Sequence, residues 1–279
     1  TTVVRRGYKF DGSNDFISMP QSSDFTFDGD FTIEFWANKD SDGNGSGGTP
    51  GYDVPIGCNN AGGGNNGGWF IEWSNTRGFN FYDGDGNNTQ VMNWDYDPNG
   101  TGWNHVAFAR DGNSCRLFVN GELKKTTTYS NTISCSNSLF IGRTINGPWP
   151  YNGYLSDIRI TKGEAVYTSA FTPPQSLTAG TNTKLLLTGG EEDESSSEHS
   201  LTFSGAHPTA KYGDGAYYFD GSSKISIEAP HSDFDWSPTD KSWTWELWYN
   251  VNSGQQGGLI GTSANTSDTG GWDLYLGNG

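Results

Sequence analysis

The chain has 279 residues, a formal net charge of −16 at pH 7 and an aromatic content of 14%. The negative charge argues against nucleic-acid binding, which requires a basic surface, and against docking on anionic lipid. The aromatic content is too high for a disordered chain, and no apolar run of about 18 residues predicts insertion into a membrane.

Short alternating runs of apolar residues, bounded by Gly, Asn and Asp, predict an all-β protein. The predicted strands of the first half cover residues 10–20, 30–37, 68–73, 78–82, 103–110, 116–119, 122–125, 138–142 and 153–160. The strands 68–73 and 78–82 are expected to form a hairpin around 74–77. Asn120 and Gly121 form the strongest hairpin signal, because a type I′ turn needs positive φ at both central residues. One helical turn is expected at 163–167. Many short strands with glycine-rich turns predict a two-sheet sandwich.

Several sequence segments occur twice. YKFDGS at 8–13 returns as YYFDGS at 217–222, and the Thr-x-Glu-x-Trp pattern at 32–36 returns at 244–248. This spacing exceeds solenoid periods of roughly 20–50 residues, so it indicates a duplicated domain. We expect a first domain at 1–174, a linker at 175–183 and a second, incomplete domain at 184–279.

The three cysteines are too few for a disulfide framework. Cys115 and Cys135 lie in or near predicted strands and could meet across a sheet, but a bridge needs Cα atoms about 6 Å apart. Buried free thiols are the alternative, and the sequence leaves both open.

The order of several motifs resembles a laminin-G-like, concanavalin A-like jelly roll. These motifs are FDG at 10–12, FTIEFW at 31–36, W-x-HVA at 103–107, LFVNG at 117–121 and LFIG at 139–142. The resemblance implies tandem jelly-roll sandwiches, a fold that hosts lectins, adhesion modules, glycosidases and structural domains alike.

The segments 155–174 and 184–187 resemble parts of structural proteins from tailed bacteriophages, with marine cyanophage-type virions as the nearest match. This resemblance implies a virion surface protein in a tail fibre, an appendage or a capsid decoration. Its expected partners are other virion proteins, further copies of itself and host surface glycans. The alternative is a secreted bacterial adhesin or a carbohydrate-binding module of a cell-surface protein.

The sequence predicts a protein that is not an enzyme. The glucan-cleaving members of the resembled fold need a Glu-x-Asp-x-x-Glu strand, because alternation along that strand places the catalytic carboxylates on one face. Residues 191–196 come closest but lack the final Glu and a strand. Of the four histidines, His105 belongs to a motif that the resemblance explains structurally.

A D-x-D-x-N pattern, as at the start of a Ca²⁺ loop, occurs at 40–44, 83–87 and 95–99. An EF-hand needs Glu at position 12, where Gly51, Trp94 and Val106 stand. Asp and Asn are also common in ordinary turns. We therefore predict no cofactor, with structural Ca²⁺ as the alternative.

Two loop clusters place aromatic rings beside amide or carboxylate groups, the combination that a sugar site uses. The predicted glycan-binding residues are Trp94, Asp95, Tyr96, Asp97, Trp149, Tyr151 and Asn152. The alternative is that these rings cap the sandwich edge or pack on a neighbouring subunit. Trp36, Trp69, Trp73 and Trp103 lie in or beside predicted strands and are expected in the core.

Overall fold

Seventeen short strands carry the fold of the residues that the structure, a computed structural model, describes: 5–42, 51–59, 68–84, 89–146, 149–211, 257–261 and 273–276. For 207–211, 257–261 and 273–276 it describes the backbone. The strands are β1 (Arg5–Asp11), β2 (Phe16–Met19), β3 (Phe31–Lys39), β4 (Tyr52–Gly57), β5 (Phe70–Ser74), β6 (Gly78–Asp83), β7 (Thr89–Trp94), β8 (Asn104–Asp111), β9 (Ser114–Val119), β10 (Glu122–Thr128), β11 (Leu139–Ile141), β12 (Asn152–Lys162), β13 (Thr183–Leu187), β14 (Thr202–Ser204), β15 (His207–Lys211), β16 (Gly257–Gly261) and β17 (Asp273–Leu276). A single turn of 3-10 helix covers Ser23–Phe25.

Two antiparallel sheets form the first unit, which spans Thr1–Tyr217. The first sheet has the strand order β10-β9-β8-β3-β12-β1-β15, with β13 also paired to β12. The second sheet has the order β14-β2-β11-β4-β5-β6-β7. This architecture confirms the predicted all-β, concanavalin A-like jelly-roll sandwich.

Aromatic side chains from both sheets fill the space between them. On β3, the alternate residues Phe31, Ile33 and Phe35 are buried in the core. Across the sandwich, Phe81 and Phe108 stack with ring centroids 4.2 Å apart. Full burial of each such side chain contributes about 1.5–3 kcal/mol, so the alternating apolar residues stabilise the packing of the two sheets.

Both predicted hairpins are confirmed. Strands β5 and β6 pair from Phe70↔Tyr82 to Ser74↔Gly78. Strands β9 and β10 meet at the turn of Asn120 and Gly121, whose φ angles are 51° and 78°.

Two local predictions were wrong. The run 10–20 is broken between β1 and β2, where Gly12 turns the chain with φ of 75°. No helical turn forms at 163–167, because Thr32 bonds this segment instead: its hydroxyl donates to the Glu164 carbonyl at 3.2 Å and accepts from the Val166 N–H at 2.9 Å. Residues 163–178, here called the strap, contact the outer face of the first sheet, where Tyr167 packs on the apolar residues of β8 and β9.

The expected division at 174–184 does not coincide with the division of the structure. Strand β13 pairs with β12, and Leu185 and Leu187 are fully buried in the core of the first unit. The division into units falls between Tyr217 and Tyr218. Burial of the leucine run explains why the chain remains with the first sandwich beyond the linker.

The second unit, Tyr218–Gly279, contains the antiparallel pair β16 and β17. Its repeat motifs at 218–222 and 243–248 lie outside the described residues. Among the helices described, none is long and apolar enough to cross a membrane.

The cysteines pair differently from the candidate pairing of Cys115 with Cys135. Cys58 and Cys135 form a disulfide with Cα atoms 5.8 Å apart. Cys115 is a buried free thiol, and burial raises its pKa to about 11. The pairing joins residues 77 positions apart, a proximity that only the folded sandwich creates.

Candidate functional site

An aromatic cluster lies on the outer face of the second sheet. On β5 and β6, Phe70 and Tyr82 alternate with core residues and stack on each other with centroids 4.9 Å apart. Trp149 packs beside them, 6.2 Å from Phe70 and 5.8 Å from Tyr52 of β4. Trp149 and Tyr52 are half-buried, so part of this aromatic cluster faces solvent.

A polar depression adjoins the aromatic cluster. It has a volume of about 330 Å³ and is lined by Thr76, Arg77, Gln90, Asn93 and Asp95. The Arg77 guanidinium donates to the hydroxyls of Tyr52 and Tyr82, which joins the depression to the cluster. The lining supplies hydroxyl, guanidinium, amide and carboxylate groups, which suit the hydroxyls of a polar ligand.

Buried Asn80 orders the amides of this depression. Its side-chain oxygen accepts from Gln90 Nε2 at 2.7 Å and from Asn93 Nδ2 at 3.1 Å. Asn93 also donates to the Arg77 carbonyl at 2.7 Å. Both amides are thus oriented through their N–H groups, so their carbonyl oxygens remain acceptors for a ligand.

Glu72 lies beneath this surface and is 3% exposed. Burial raises its pKa to about 7, and the charge of Asp53 adds to this effect while Arg77 opposes it. Asn80 Nδ2 donates to its carboxyl at 3.3 Å. The Glu72 carboxyl therefore gains or loses its proton near neutral pH although it is buried, away from direct contact with solvent.

A second depression, here called the Trp94 cleft, lies beyond the end of β7. Trp94 and Tyr96 stack in it with centroids 4.8 Å apart, and the Lys124 ammonium lies 5.7 Å from the Trp94 ring. Its volume is about 320 Å³, and its other lining residues are Thr101, Asn104, Val119, Asn120 and Glu122. Burial raises the pKa of Tyr96 to about 12, so its hydroxyl remains neutral at physiological pH.

The structure distributes the predicted glycan-binding residues over several places. Trp94 and Tyr96 line the Trp94 cleft, while Asp95 between them lines the polar depression. Trp149 belongs to the aromatic cluster. Asn152 donates to the Ser41 hydroxyl at 2.7 Å, outside these surfaces.

Tyr151 is unsuited to a sugar site. It is fully buried, with its ring 6.1 Å from both Phe10 and Trp73. Its hydroxyl donates to the Tyr154 carbonyl at 3.3 Å, and burial raises its pKa well above the ordinary value. A ring enclosed on both faces offers no surface for stacking, so we omit Tyr151 from the site.

A lysine takes the centre of the expected Ca²⁺ region. The fully buried Lys39 ammonium lies 2.8 Å from Asp42, 2.8 Å from Asp53 and 2.9 Å from Asp97. Two of these carboxylates belong to the D-x-D-x-N patterns at 40–44 and 95–99. Their oxygens are engaged by an internal cation, so these residues do not fit a Ca²⁺ site.

The tryptophans expected in the core differ in their surroundings. Trp69 and Trp73 are core residues as predicted, whereas Trp36 is half-buried with the Arg5 guanidinium 3.5 Å above its ring. Trp103 is also half-buried and precedes β8. The third D-x-D-x-N pattern, at 83–87, falls largely outside the described residues.

The sequence reasoning missed Tyr52, Arg77, Gln90 and Asn93. Strand alternation was the available signal for an outward-facing surface in this region. The non-core positions of the hairpin predicted at 68–82 are Phe70, Glu72, Asn80 and Tyr82. Aromatic residues on the outer face of a sheet indicate either a covered surface or a binding surface. No sequence signal indicated Gln90 and Asn93 as surface residues of a strand, because β7 was not predicted.

The two-sheet sandwich belongs to the concanavalin A-like jelly-roll class. The model of the family Laminin_G_3, described as the concanavalin A-like lectin/glucanases superfamily, matches residues 11–175. The chain belongs to this family. No curated protein sequence matches it.

Solved structures share the fold at low sequence identity. A proposed carbohydrate-binding protein from Bacteroides ovatus is 17% identical with a TM-score of 0.50, over 75% of this chain and 60% of that protein. Mouse laminin α1 domains LG4-5 are 13% identical with a TM-score of 0.40, over 61% of this chain and 48% of theirs. Domain 4 of AbnA, an extracellular arabinanase from Geobacillus stearothermophilus, in complex with arabinotriose, is 16% identical with a TM-score of 0.39, over 63% and 80%. The chain thus spans less than two thirds of the first of these proteins, and the likeness establishes the fold.

Proposed function

We propose that the first unit binds carbohydrate on the surface formed by the aromatic cluster, the polar depression and the Trp94 cleft. The observation that carries this proposal is the placement of half-buried Tyr52 and Trp149 beside a depression lined by polar side chains, with the stacked rings of Trp94 and Tyr96 in a second depression. A sugar ring presents an apolar face for stacking and hydroxyls that require donors and acceptors. This surface supplies both kinds of contact side by side.

The residues 94–96 connect the two depressions. Asp95 faces one depression while its neighbours Trp94 and Tyr96 line the other. A glycan of several sugar units is therefore able to contact both, with one ring at the Trp94 cleft and its hydroxyls at Asp95 and Asn93. The open form of the surface suits a chain rather than a single small ligand.

Replacement of Trp94 by alanine, and separately of Trp149, is expected to weaken glycan binding about tenfold, equivalent to about 1.4 kcal/mol. Binding of the full-length chain would be measured on a glycan array, followed by titration calorimetry with the best ligand. Trp103→Ala is the matched control, because Trp103 is also half-buried but lies near Tyr154 of the first sheet. Unchanged binding in both site variants would show that the sugar binds elsewhere.

We propose that this binding is not coupled to catalysis. Asp95 is the carboxylate that lines the polar depression, and the Glu72 carboxyl beneath the surface is buried and bonded to Asn80. A retaining glycosidase needs two carboxyls about 5–5.5 Å apart beside the bound sugar. Among the residues that the structure describes, Glu34 is also buried, and its carboxylate is bonded to His105 and Arg159 at the first sheet. Hydrolysis of β-glucan by the purified chain would contradict the proposal.

We further propose that the chain is a surface component of a phage virion, where it contacts other virion proteins and host glycans. The Cys58–Cys135 disulfide supports a location outside the reducing cytosol, and the acidic charge supports a solvent-exposed protein. Mass spectrometry of purified intact virions tests this location. Recovery from the bacterial cell surface in uninfected cultures would favour the adhesin instead.

A further inference from the structure

The buried side-chain amide of Asn80 uses its full hydrogen-bonding capacity inside the protein. Its nitrogen donates to the Gly78 carbonyl at 2.9 Å and to the Glu72 carboxyl at 3.3 Å. Its oxygen accepts from Gln90 Nε2 at 2.7 Å and from Asn93 Nδ2 at 3.1 Å. A backbone carbonyl only accepts, so the contact with Gly78 fixes which end of the Asn80 amide is the nitrogen.

The two amides that line the polar depression have no N–H group left for a ligand. A side-chain amide carries two N–H groups, and one from each of Gln90 and Asn93 goes to Asn80. The second N–H of Gln90 donates to the Tyr82 hydroxyl at 3.1 Å, and that of Asn93 donates to the Arg77 carbonyl at 2.7 Å. Among the described residues, none donates to the two amide oxygens. The lining amides therefore offer acceptors alone.

The hydrogen bonds of this network all run toward one carboxyl. A ligand hydroxyl at the Gln90 oxygen would donate into the depression, the Gln90 N–H donates to Asn80, and the Asn80 N–H donates to Glu72. An ionised carboxylate only accepts, so the charge of Glu72 agrees with the direction of every bond in the chain. Bonds in such a chain polarise one another, and a charged terminal acceptor strengthens them. The surface oxygens are therefore stronger acceptors when Glu72 is ionised.

Glu72 is also the group of this region that changes its charge near neutral pH. The charges that face it are Arg77 in the turn after β5 and Asp53 on β4, and Tyr82 lies on β6. Asp53 is paired with the Lys39 ammonium at 2.8 Å. Burial raises the pKa of Tyr82, and the hydrogen bond to a tyrosine hydroxyl raises that of Arg77, so neither titrates near pH 7. No histidine is among the described residues that line the depression.

The open groups of the depression favour hydroxyl donors over anions. The oxygens of Gln90 and Asn93 carry partial negative charge, and Asp95 adds a carboxylate to the lining. Glu72 adds a further negative charge beneath them when it is ionised. The cation of the lining, Arg77, is engaged by the hydroxyls of two tyrosines. A sugar hydroxyl satisfies these acceptors, whereas the carboxylate of an acidic sugar meets them with like charge.

We propose that the polar depression selects neutral glycans, whose hydroxyls donate to Gln90 and Asn93, and that ionised Glu72 strengthens this binding through Asn80. This selectivity rests on the proposed carbohydrate binding of the first unit. Glu72 is a positioning residue, because it acts through Asn80 and does not touch the sugar. Binding is tighter at pH 8, where Glu72 is ionised, than at pH 6, where it is protonated. By reciprocity, the bound glycan lowers the pKa of Glu72.

A glycan array probed with the full-length chain at pH 8 tests the selectivity. The array carries neutral oligosaccharides beside uronic-acid oligosaccharides of the same linkage, such as fragments of β-1,4-mannan and β-1,4-mannuronan. We expect the neutral member of a pair to bind more strongly. Preference for the uronic-acid members would overturn the inference and leave carbohydrate binding intact. Absence of binding to every glycan would refute the proposed function itself, and the inference with it.

Calorimetric titration with the best-bound array glycan at pH 8 and pH 6 tests the role of Glu72. We expect the Kd of the parent to rise about fivefold at pH 6, the lower end of the usual coupling between two sites. Glu72→Gln keeps an oxygen for the Asn80 N–H but has no charge, so its Kd should be equal at both pH values and close to that of the parent at pH 6. The control Glu164→Gln, at an exposed position of the strap, should retain the fivefold change.

Two further measurements make the test independent of one variant. Asn93→Leu removes one of the two surface acceptors and is expected to weaken binding about tenfold at pH 8. Carbon-13 NMR of the parent, labelled at its glutamate carboxyls, should show one carboxyl that titrates near neutral pH and whose pKa falls when the glycan is bound. A parent Kd that is equal at both pH values, or a fivefold change that persists in Glu72→Gln, would overturn the role of Glu72.

Discussion

Replacement of Glu34 by alanine is expected to destabilise the first unit by about 3–5 kcal/mol, because it leaves a buried network of cationic and polar groups without its anion. Glu34 is fully buried on the outer side of β3. Its carboxylate accepts from Arg159 Nε at 2.8 Å and from the Tyr167 hydroxyl at 2.9 Å, and lies 3.1 Å from His105 Nε2. Urea unfolding at pH 7 would measure the loss.

The control for this variant is Glu122→Ala. Glu122 is an exposed carboxylate that pairs with Lys124 on β10. Exposed pairs of this kind contribute little, so we expect its unfolding curve to coincide with that of the parent. A Glu34→Ala variant with unchanged stability would show that the network does not hold the strap on the sheet.

The same carboxylate makes the fold sensitive to acid. Burial by itself raises the pKa of Glu34, but the hydrogen bond from His105 and the charge of Arg159 outweigh it, so the pKa lies below the ordinary value of 4.5. The unfolded chain therefore binds more protons than the folded one as the pH falls. The stability contributed by Glu34 is present above its unfolded pKa and is lost as the pH falls through its folded pKa. Glu34→Gln should flatten this part of the pH dependence.

Elements whose structure depends on residues close together in the sequence were predictable from it. The alternating residues of β3, β5 and β6 determine which face is buried, and Asn120 with Gly121 determines the hairpin turn. The strap was not predictable, because its conformation depends on Thr32 and Glu34, which lie about 130 positions earlier in the sequence. Local propensity carries no information about such partners.

The candidate site was predictable only in part, because the direction in which each aromatic ring points depends on the folded chain. Trp149 and Tyr151 look equivalent in the sequence, yet one lies on the outer face and the other in the core. Trp149 has a φ of 68°, which redirects the chain between the two rings. The Lys39 cluster was missed because its carboxylates come from three separate segments, and only the folded sandwich brings them together.

Replacement of Lys39 by methionine is expected to destabilise the first unit by about 3–5 kcal/mol at pH 7, since it leaves a buried charge without its partner. Asp53 is fully buried beside Lys39, and Asp42 and Asp97 complete the cluster. Burial by itself lowers the pKa of Lys39, but the charge of Asp53 and the hydrogen bonds to the carboxylates outweigh it and raise the pKa. The ammonium is therefore charged throughout the physiological range.

The deficit of Lys39→Met should shrink as the pH falls from 7 to 5. Without the ammonium, uptake of a proton relieves the repulsion between the carboxylates in the folded variant. The folded variant then binds more protons than the unfolded chain, so its stability relative to the parent rises as the pH falls. Urea unfolding of parent and variant at both pH values measures this difference.

The matched control is Lys9→Met, because Lys9 pairs with Asp40 in the same region but is 27% exposed. We expect it to change stability by about 1 kcal/mol or less at either pH. Millimolar Ca²⁺ should restore part of the stability of Lys39→Met, since three carboxylates would then surround the place of the lost ammonium, and should leave Lys9→Met unchanged. If Lys39→Met unfolds at the same urea concentration as the parent at pH 7, the ion cluster does not hold β3 and β4 together.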